Sequence, residues 1–135
     1  MGNAFQNLSW LAIVIATVAS FVFGFVWYNL LFAKRWAKEN GFAEDSGRNA
    51  NMVKIFGLSF LLMFFAAFNL AMFIGKGSGV HFGAMAGFLA GLGWVFTFLG
   101  VIYLFERKSL ALFLINSGYS VLSLTLMGLI IGLMQ

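Results

Sequence analysis

Asn116, Ser120 and Ser123 stand at i, i+4 and i+7 with Tyr119 beside them, so on one helix their amide, hydroxyl and phenol groups form a hydrogen-bonding stripe. A second stripe of small and polar residues runs through Thr17, Ser20, Gly24 and Trp27–Tyr28. Asn69 and Thr97 add single polar groups elsewhere. Neutral donors and acceptors of this kind hold a small neutral or anionic solute, line a water path, or satisfy one another between helices. The most exposed to such use are Asn116, Tyr119 and Ser120, with Tyr28 and Asn29 across from them as the expected solute or cavity lining.

Acid–base, metal and nucleophilic chemistry have little to work with. His81 is the only histidine and there is no cysteine, which removes disulfides, thiolate metal sites and thiol redox chemistry. A single His cannot build a zinc site without carboxylates, and the segment around it has none. Haem held by His81 from two copies, or by His81 with a Met, is the cofactor chemistry left open, and the expectation is no cofactor and no metal. A Ser78/His81 pair lacks an orienting acid, so no catalytic residue is assigned. Glu39, Glu44 and Asp45 fall in one polar segment, and Glu106 sits beside Arg107 and Lys108. Glu106 with Arg107 reads as an interfacial ion pair at a helix end, or as a gating group at that surface. Proton-coupled transport needs a titratable group inside a span, and no span here has an acid.

The elements that must position these residues follow from hydropathy. The 135 residues are 62% hydrophobic, 19% aromatic and 9% charged, with mean hydropathy +0.98. That composition belongs to an integral membrane protein. Four runs contain no Asp, Glu, Lys or Arg: Leu8–Ala33, Ile55–Gly75, Gly77–Phe105 and Ser109–Gln135. Each reaches the roughly 20 apolar residues needed to cross a bilayer as a helix. The first run is preceded by no basic residue and is longer than a signal-peptide core, so it is expected to stay in the protein. The pI near 9.8 does not indicate nucleic acid, because the basic residues lie at the ends of apolar runs and form no single face.

Those basic residues set an expected orientation. Lys34, Arg35, Lys38, Arg48, Lys54, Arg107 and Lys108 lie in the first and third loops, against Lys76 alone in the second. Seven against one places loops one and three in the cytoplasm and both termini on the non-cytoplasmic side. Trp10 at one boundary, and Trp27, Tyr28 and Trp36 at the other, suit aromatic belts. In the polar segment 34–54, Gly41 offers a helix stop after a short interfacial continuation of the first helix, and Asn49 or Asn51 offers a cap for the second. This segment reads as a solvated loop anchored to anionic lipid by its basic residues, or as a docking site for a cytoplasmic partner.

Gly79, Gly83, Gly87 and Gly91 recur every fourth residue. On a helix they drift only about 40° per step and leave a bare track along one side. Such a glycine zipper is a helix-packing seam, widened here by Ala84 and Ala90. Gly93 and Gly100 mark a second thin face. The third helix, thin on two sides, is expected to be the centre of the bundle, with either face free to meet another chain.

Several stretches also line up with a known family: "GFVWYNLLFAKRW", "NMVKIFGLSFL", "YLFERKSLALFLINSGY" and "LMGLIIG". Trp27–Tyr28, Leu104–Phe105–Glu106 and Ile115–Tyr119 are the most specific pieces. Over nearly its whole length the chain resembles the bacterial membrane family called domain of unknown function 1761. The resemblance implies a small four-helix bacterial inner-membrane protein and supplies no activity.

The expected fold is all-α and polytopic: one domain, residues 1–135, with transmembrane helices near 8–33, 55–75, 80–105 and 109–134 in an up-down bundle and a cytoplasmic loop at 34–54. Four helices enclose little space, so a passage would require copies of the chain to assemble. The functional expectation is a homo-oligomeric passage or binding site for a small solute. The alternative is an accessory subunit packed against a larger membrane complex, without a substrate. The expected partners are the lipid bilayer and a second copy or membrane subunit, with no nucleic acid; an enzyme is disfavoured.

Overall fold

The structure, a computed structural model, describes residues 8–41 and 52–135, and these contain helices and no strand. Four helices are long and apolar enough to cross a membrane: α1 (Trp10–Leu31), α3 (Met52–Ile74), α4 (Val80–Phe105) and α5 (Leu110–Met134). A short helix, α2 (Ala33–Asn40), follows α1. The chain is a multi-pass membrane protein. The spans alternate in direction, so α1 and α5 run antiparallel with Ser9 beside Gln135 at one end and Tyr28 beside Asn116 toward the other. We call these the terminal end and the head end.

Local signals set the helix limits. Ser9 and Ser109 cap α1 and α5, each hydroxyl accepting the amide three residues on, of Ala12 at 3.2 Å and Leu112 at 3.1 Å. The first span ends at Leu31 rather than at Ala33, because Phe32 leaves the helical region (φ −124°, ψ 16°) and the chain turns into α2. Gly41 stops α2 at φ 72°, a conformation glycine adopts without steric cost. The expected continuation after the first span is therefore a separate helix. The candidate caps Asn49 and Asn51 lie outside the described residues. Helix α3 begins at Met52, about one turn ahead of the expected Ile55. Lys54 falls inside that first turn and is exposed.

The third span is not the centre of the bundle. α5 contacts every other helix, and a third of its most apolar window is enclosed, against 6% for α4. The reason lies in the glycines. A β-carbon at Gly83 would collide with the Gly128 carbonyl and lie 2.9 Å from the Gly132 Cα; one at Gly87 would strike the Leu124 carbonyl, and one at Gly91 would lie 2.8 Å from the Val121 Cα. Gly128 answers against the Gly83 carbonyl. α4 thus touches α5 backbone to backbone along one narrow track, meets α3 only through contacts such as Phe82 on Phe73, and leaves most of its circumference outside the bundle. Gly79 contributes differently: its own β-position is open, and its φ of 92° requires glycine at the start of α4. Gly93 faces open space.

The core at the terminal end is correspondingly thin, built from Ala12, Ile13 and Ala16 of α1, Ala67, Leu70, Ala71 and Ile74 of α3, Ala86 of α4, and Met127 and Ile131 of α5. The Gln135 side chain ties the same end, accepting from the Ser9 amide at 3.0 Å and donating to the Ala71 carbonyl at 2.8 Å.

Replacing Gly87 by Ala forces backbone atoms apart and is expected to destabilise the bundle by about 2–3 kcal/mol, whereas Gly93→Ala is neutral. Thermal unfolding of both variants in mild detergent checks this, and equal midpoints would refute the α4–α5 seam.

Candidate functional site

The site forms at the head end, where α1 widens. Over Val26–Leu31 the backbone bonds to the fifth residue rather than the fourth, closing with the Phe32 amide on the Trp27 carbonyl at 3.0 Å. Wide turns of this kind insert one residue into a helix and recur at functional sites. Here the turn brings neighbouring Trp27 and Tyr28 onto α5 together. The Trp27 indole N–H donates to the Ile115 carbonyl at 3.0 Å, and the Tyr28 hydroxyl donates to Asn116 Oδ1 at 2.7 Å. Asn116 Nδ2 then donates to the Tyr103 hydroxyl oxygen at 2.7 Å. A hydrogen-bonded chain therefore crosses the bundle from α1 through α5 to α4.

Glycines make room for these rings. A β-carbon at Gly24 would lie 3.0 Å from the Tyr119 hydroxyl, and one at Gly118 would lie 3.3 Å from the Trp27 ring. Each helix thus receives an aromatic side chain of the other at its own glycine. Tyr119 stacks on Phe23 at 5.7 Å and meets the edge of Tyr28 at 5.2 Å. Its hydroxyl donates to the Ser20 carbonyl at 3.2 Å and lies 3.8 Å from the Met63 sulfur.

A cleft of about 540 Å³ opens beside this cluster between α1 and α3. Phe21, Phe25, Ile55, Phe56 and Met63 form apolar walls, and Tyr28, Asn29, Ser59 and Tyr119 supply the polar groups. Of the five residues expected to form a lining, the structure thus brings Tyr28, Asn29 and Tyr119 to the cleft. Asn116 lies behind Tyr28, holding its hydroxyl, and Ser120 bonds its own helix at the Asn116 carbonyl, 3.0 Å away. Ser59 and Met63 are lining residues that stripe reasoning missed. Tyr103 was missed as the partner of Asn116; helical spacing carries no information about a pair joined across a turn.

The remaining candidates stand apart. His81 is exposed at the start of α4, while the Ser78 hydroxyl bonds the Ile74 carbonyl of α3. No group of three or more His, Cys, Asp or Glu side chains comes together among the described residues. Asn69 and Thr97 bond carbonyls of their own helices. Arg107 takes φ 59° and closes α4 with two bonds, its amide on the Leu104 carbonyl at 3.2 Å and the Lys108 amide on the Tyr103 carbonyl at 2.9 Å. Glu106 is exposed and makes no ion pair among the described residues. Glu39 is the acid that is engaged: it pairs with Arg35 at 2.9 Å, and the Ser109 hydroxyl lies near its carboxylate.

The sequence model of one family, described as Protein of unknown function (DUF1761), matches residues 11–132. The chain belongs to this family. Neither the curated proteins nor the solved structures compared with it include a match. The DUF1761 match takes in the four spans but for Trp10 and Leu133–Met134, and with them every cleft residue and both partners of Asn116.

Two outcomes are expected for this DUF1761 protein. Asn116→Leu strands the Tyr28 and Tyr103 hydroxyls in apolar surroundings and costs about 1–3 kcal/mol. Tyr28→Phe costs less, and in a double-mutant cycle with Asn116→Leu the two losses do not add; additive losses would break the chain as drawn.

The second concerns acid. The Ser109 hydroxyl, then the charges of Arg35 and Lys38, hold the Glu39 carboxyl below its usual 4.5. A lowered carboxyl pKa stabilises the docked state above the unfolded value and loses that contribution as pH falls through the lowered one. Hydrogen exchange of the α2 amides, corrected for intrinsic rates, is therefore faster at pH 3 than at pH 6. In Glu39→Gln that difference disappears.

Proposed function

We propose that this protein is a bacterial inner-membrane binding protein for a small, mainly apolar molecule with a hydrogen-bonding end group. The cleft between α1 and α3 carries this reading. Its volume of about 540 Å³ falls within the range of ligand pockets, roughly 300–1,000 Å³. The walls are aromatic and aliphatic, and the polar groups divide into two kinds. Tyr28 and Tyr119 have already given their protons to Asn116 and to the Ser20 carbonyl. Asn29 and Ser59 have no bonded partner among the described residues and are left for a ligand.

The same pairing speaks for binding over passage. The polar stripes of α1 and α5 meet each other, and the Thr17, Ser120 and Thr125 hydroxyls bond carbonyls of their own helices. Of the buried side-chain polar groups among the described residues, only the Ser20 hydroxyl lacks a partner, so the bundle interior offers a solute few groups to follow. With the basic loops facing the cytoplasm, the cleft opens in the inner leaflet, where an amphiphile reaches it from the lipid.

Photolabelling tests the reading. A diazirine-bearing long-chain alcohol, added to protein in phosphatidylcholine nanodiscs, is expected to label α3 near Phe56 and Met63. Ser59→Trp, which fills the cleft from its rim, should cut that labelling several-fold while leaving labelling of the lipid-facing side of α4 unchanged. Equal labelling of α3 in both proteins would overturn the proposal.

A further inference from the structure

On the other side of α5 from that cleft is a second cavity of about 380 Å³, between the end of α4 and the start of α5. Gly100, Leu104, Leu110 and Phe113 form its apolar part, and Tyr103 and Lys108 bring polar groups to it. The hydrogen bonds around it have a direction. Tyr28 donates to Asn116 and Asn116 donates to Tyr103, so the Tyr103 oxygen accepts while its own proton has no acceptor among the described residues. Ser109, also on the rim, is taken up elsewhere: it accepts from the Leu112 amide and its hydroxyl lies near the Glu39 carboxylate. The Lys108 ammonium makes no ion pair among the described residues.

Two unspent donors, one of them cationic, therefore meet at one cavity and no acceptor balances them. The nearest carboxylates do not fill the role. Glu39 is held by Arg35 and Ser109, and Glu106 is exposed and not part of the cavity wall. The apolar part has a matching character: Leu104 and Leu110, at 79% and 71% exposure, flank the cavity on the lipid side. A ligand that satisfies both parts carries an oxyanion at one end and a hydrocarbon chain at the other.

We propose that this cavity binds an anionic phospholipid of the surrounding leaflet, its phosphate held by Lys108 and the Tyr103 hydroxyl and one acyl chain laid over Gly100 and Phe113. Asn116 and Tyr28 are positioning residues that keep the Tyr103 proton pointed outward. The site is independent of the apolar cleft, and shares with it only the hydrogen-bonded chain between Tyr28 and Tyr103.

Native mass spectrometry of the detergent-purified protein, offered phosphatidylglycerol and phosphatidylcholine in equal amounts, tests this. One well-placed lysine is expected to favour phosphatidylglycerol by about fivefold. Lys108→Gln abolishes the preference, Tyr103→Phe reduces it, and Lys38→Gln, a charge on α2 that is no part of the cavity wall, leaves it intact. Thermal unfolding of Lys108→Gln in phosphatidylcholine, matching the unmodified protein, separates binding from folding; should Tyr103→Phe fail to fold, Lys108→Gln against Lys38→Gln decides. Equal losses in those two variants would reduce the preference to diffuse surface charge and overturn the site. Displacement of phosphatidylglycerol by millimolar inorganic phosphate would overturn the lipid assignment in favour of a free anion.

Discussion

The backbone approach of α4 to α5 at Gly83, Gly87 and Gly128 is the constraint on which the rest of the molecule depends. In a bilayer the surrounding chains are as apolar as leucine, so two helices gain by associating only where their atoms meet closely. Removing the β-carbons lets the main chains themselves make that contact. The approach cannot persist along the whole length, because beyond Gly91 the facing residues grow. Phe96 and Phe113 stand between the helices with centroids 4.8 Å apart, and Tyr103 follows against Phe113 at 6.2 Å. The pair is tight at the terminal end and held apart by rings at the head end. α1 and α3 follow the same gradient, from Ala12, Ala16, Ala67 and Ala71 to Phe21, Phe56 and Phe60. Both cavities lie at the head end for this reason.

Polar groups in such an interior are governed by the absence of water. A hydroxyl or amide that finds no partner there costs free energy that no solvent recovers. Five polar side chains in the spans, those of Thr17, Asn69, Thr97, Ser120 and Thr125, bond a carbonyl one turn back. Asn116 differs, because an amide offers both a donor and an acceptor and both ends reach other helices. It fixes α1 and α4 relative to α5 through one side chain, and it gives the chain of hydroxyls a direction. That direction is what leaves a proton at Tyr103 and none at Tyr28.

Much of this was legible in the sequence because it depends on length and periodicity. The four apolar runs, the stop at Gly41 and the polar stripes on the first and last spans are properties of neighbours along the chain. What could not be read is relational. The repeat of Gly83, Gly87 and Gly91 announces a close contact without naming the partner, and only the placement of Val121, Leu124 and Gly128 opposite them identifies α5. Because a thin helix contacts its neighbour along one narrow track, the glycine-rich span lies at the edge of the bundle and not at its centre. The wide turn at Val26–Leu31 has no proline or glycine to announce it. It follows from Trp27 and Tyr28 both finding acceptors on α5, which a regular helix, turning 100° per residue, would separate. Ser59 escaped notice because it is a single polar residue in an apolar helix, and its significance comes only from facing Asn29 across a cleft.

Arg107 shows how charge and conformation compete at the head end. Its φ of 59° is a position where glycine would be free of strain; a residue with a β-carbon is held there at about 1–2 kcal/mol. The turn that requires this conformation also places Lys108, whose amide closes α4 on the Tyr103 carbonyl, in the wall of the cavity that the same tyrosine lines. One backbone bond and one cavity wall therefore join the two residues. A glycine at position 107 would make the turn easier but remove one of the basic residues that flank the spans at this end. The strain is small against the total, and it places Lys108 in the wall of a cavity that Tyr103, held by Asn116, also lines. The turn and the cavity wall thus meet at Tyr103 and Lys108, with Arg107 holding the turn between them.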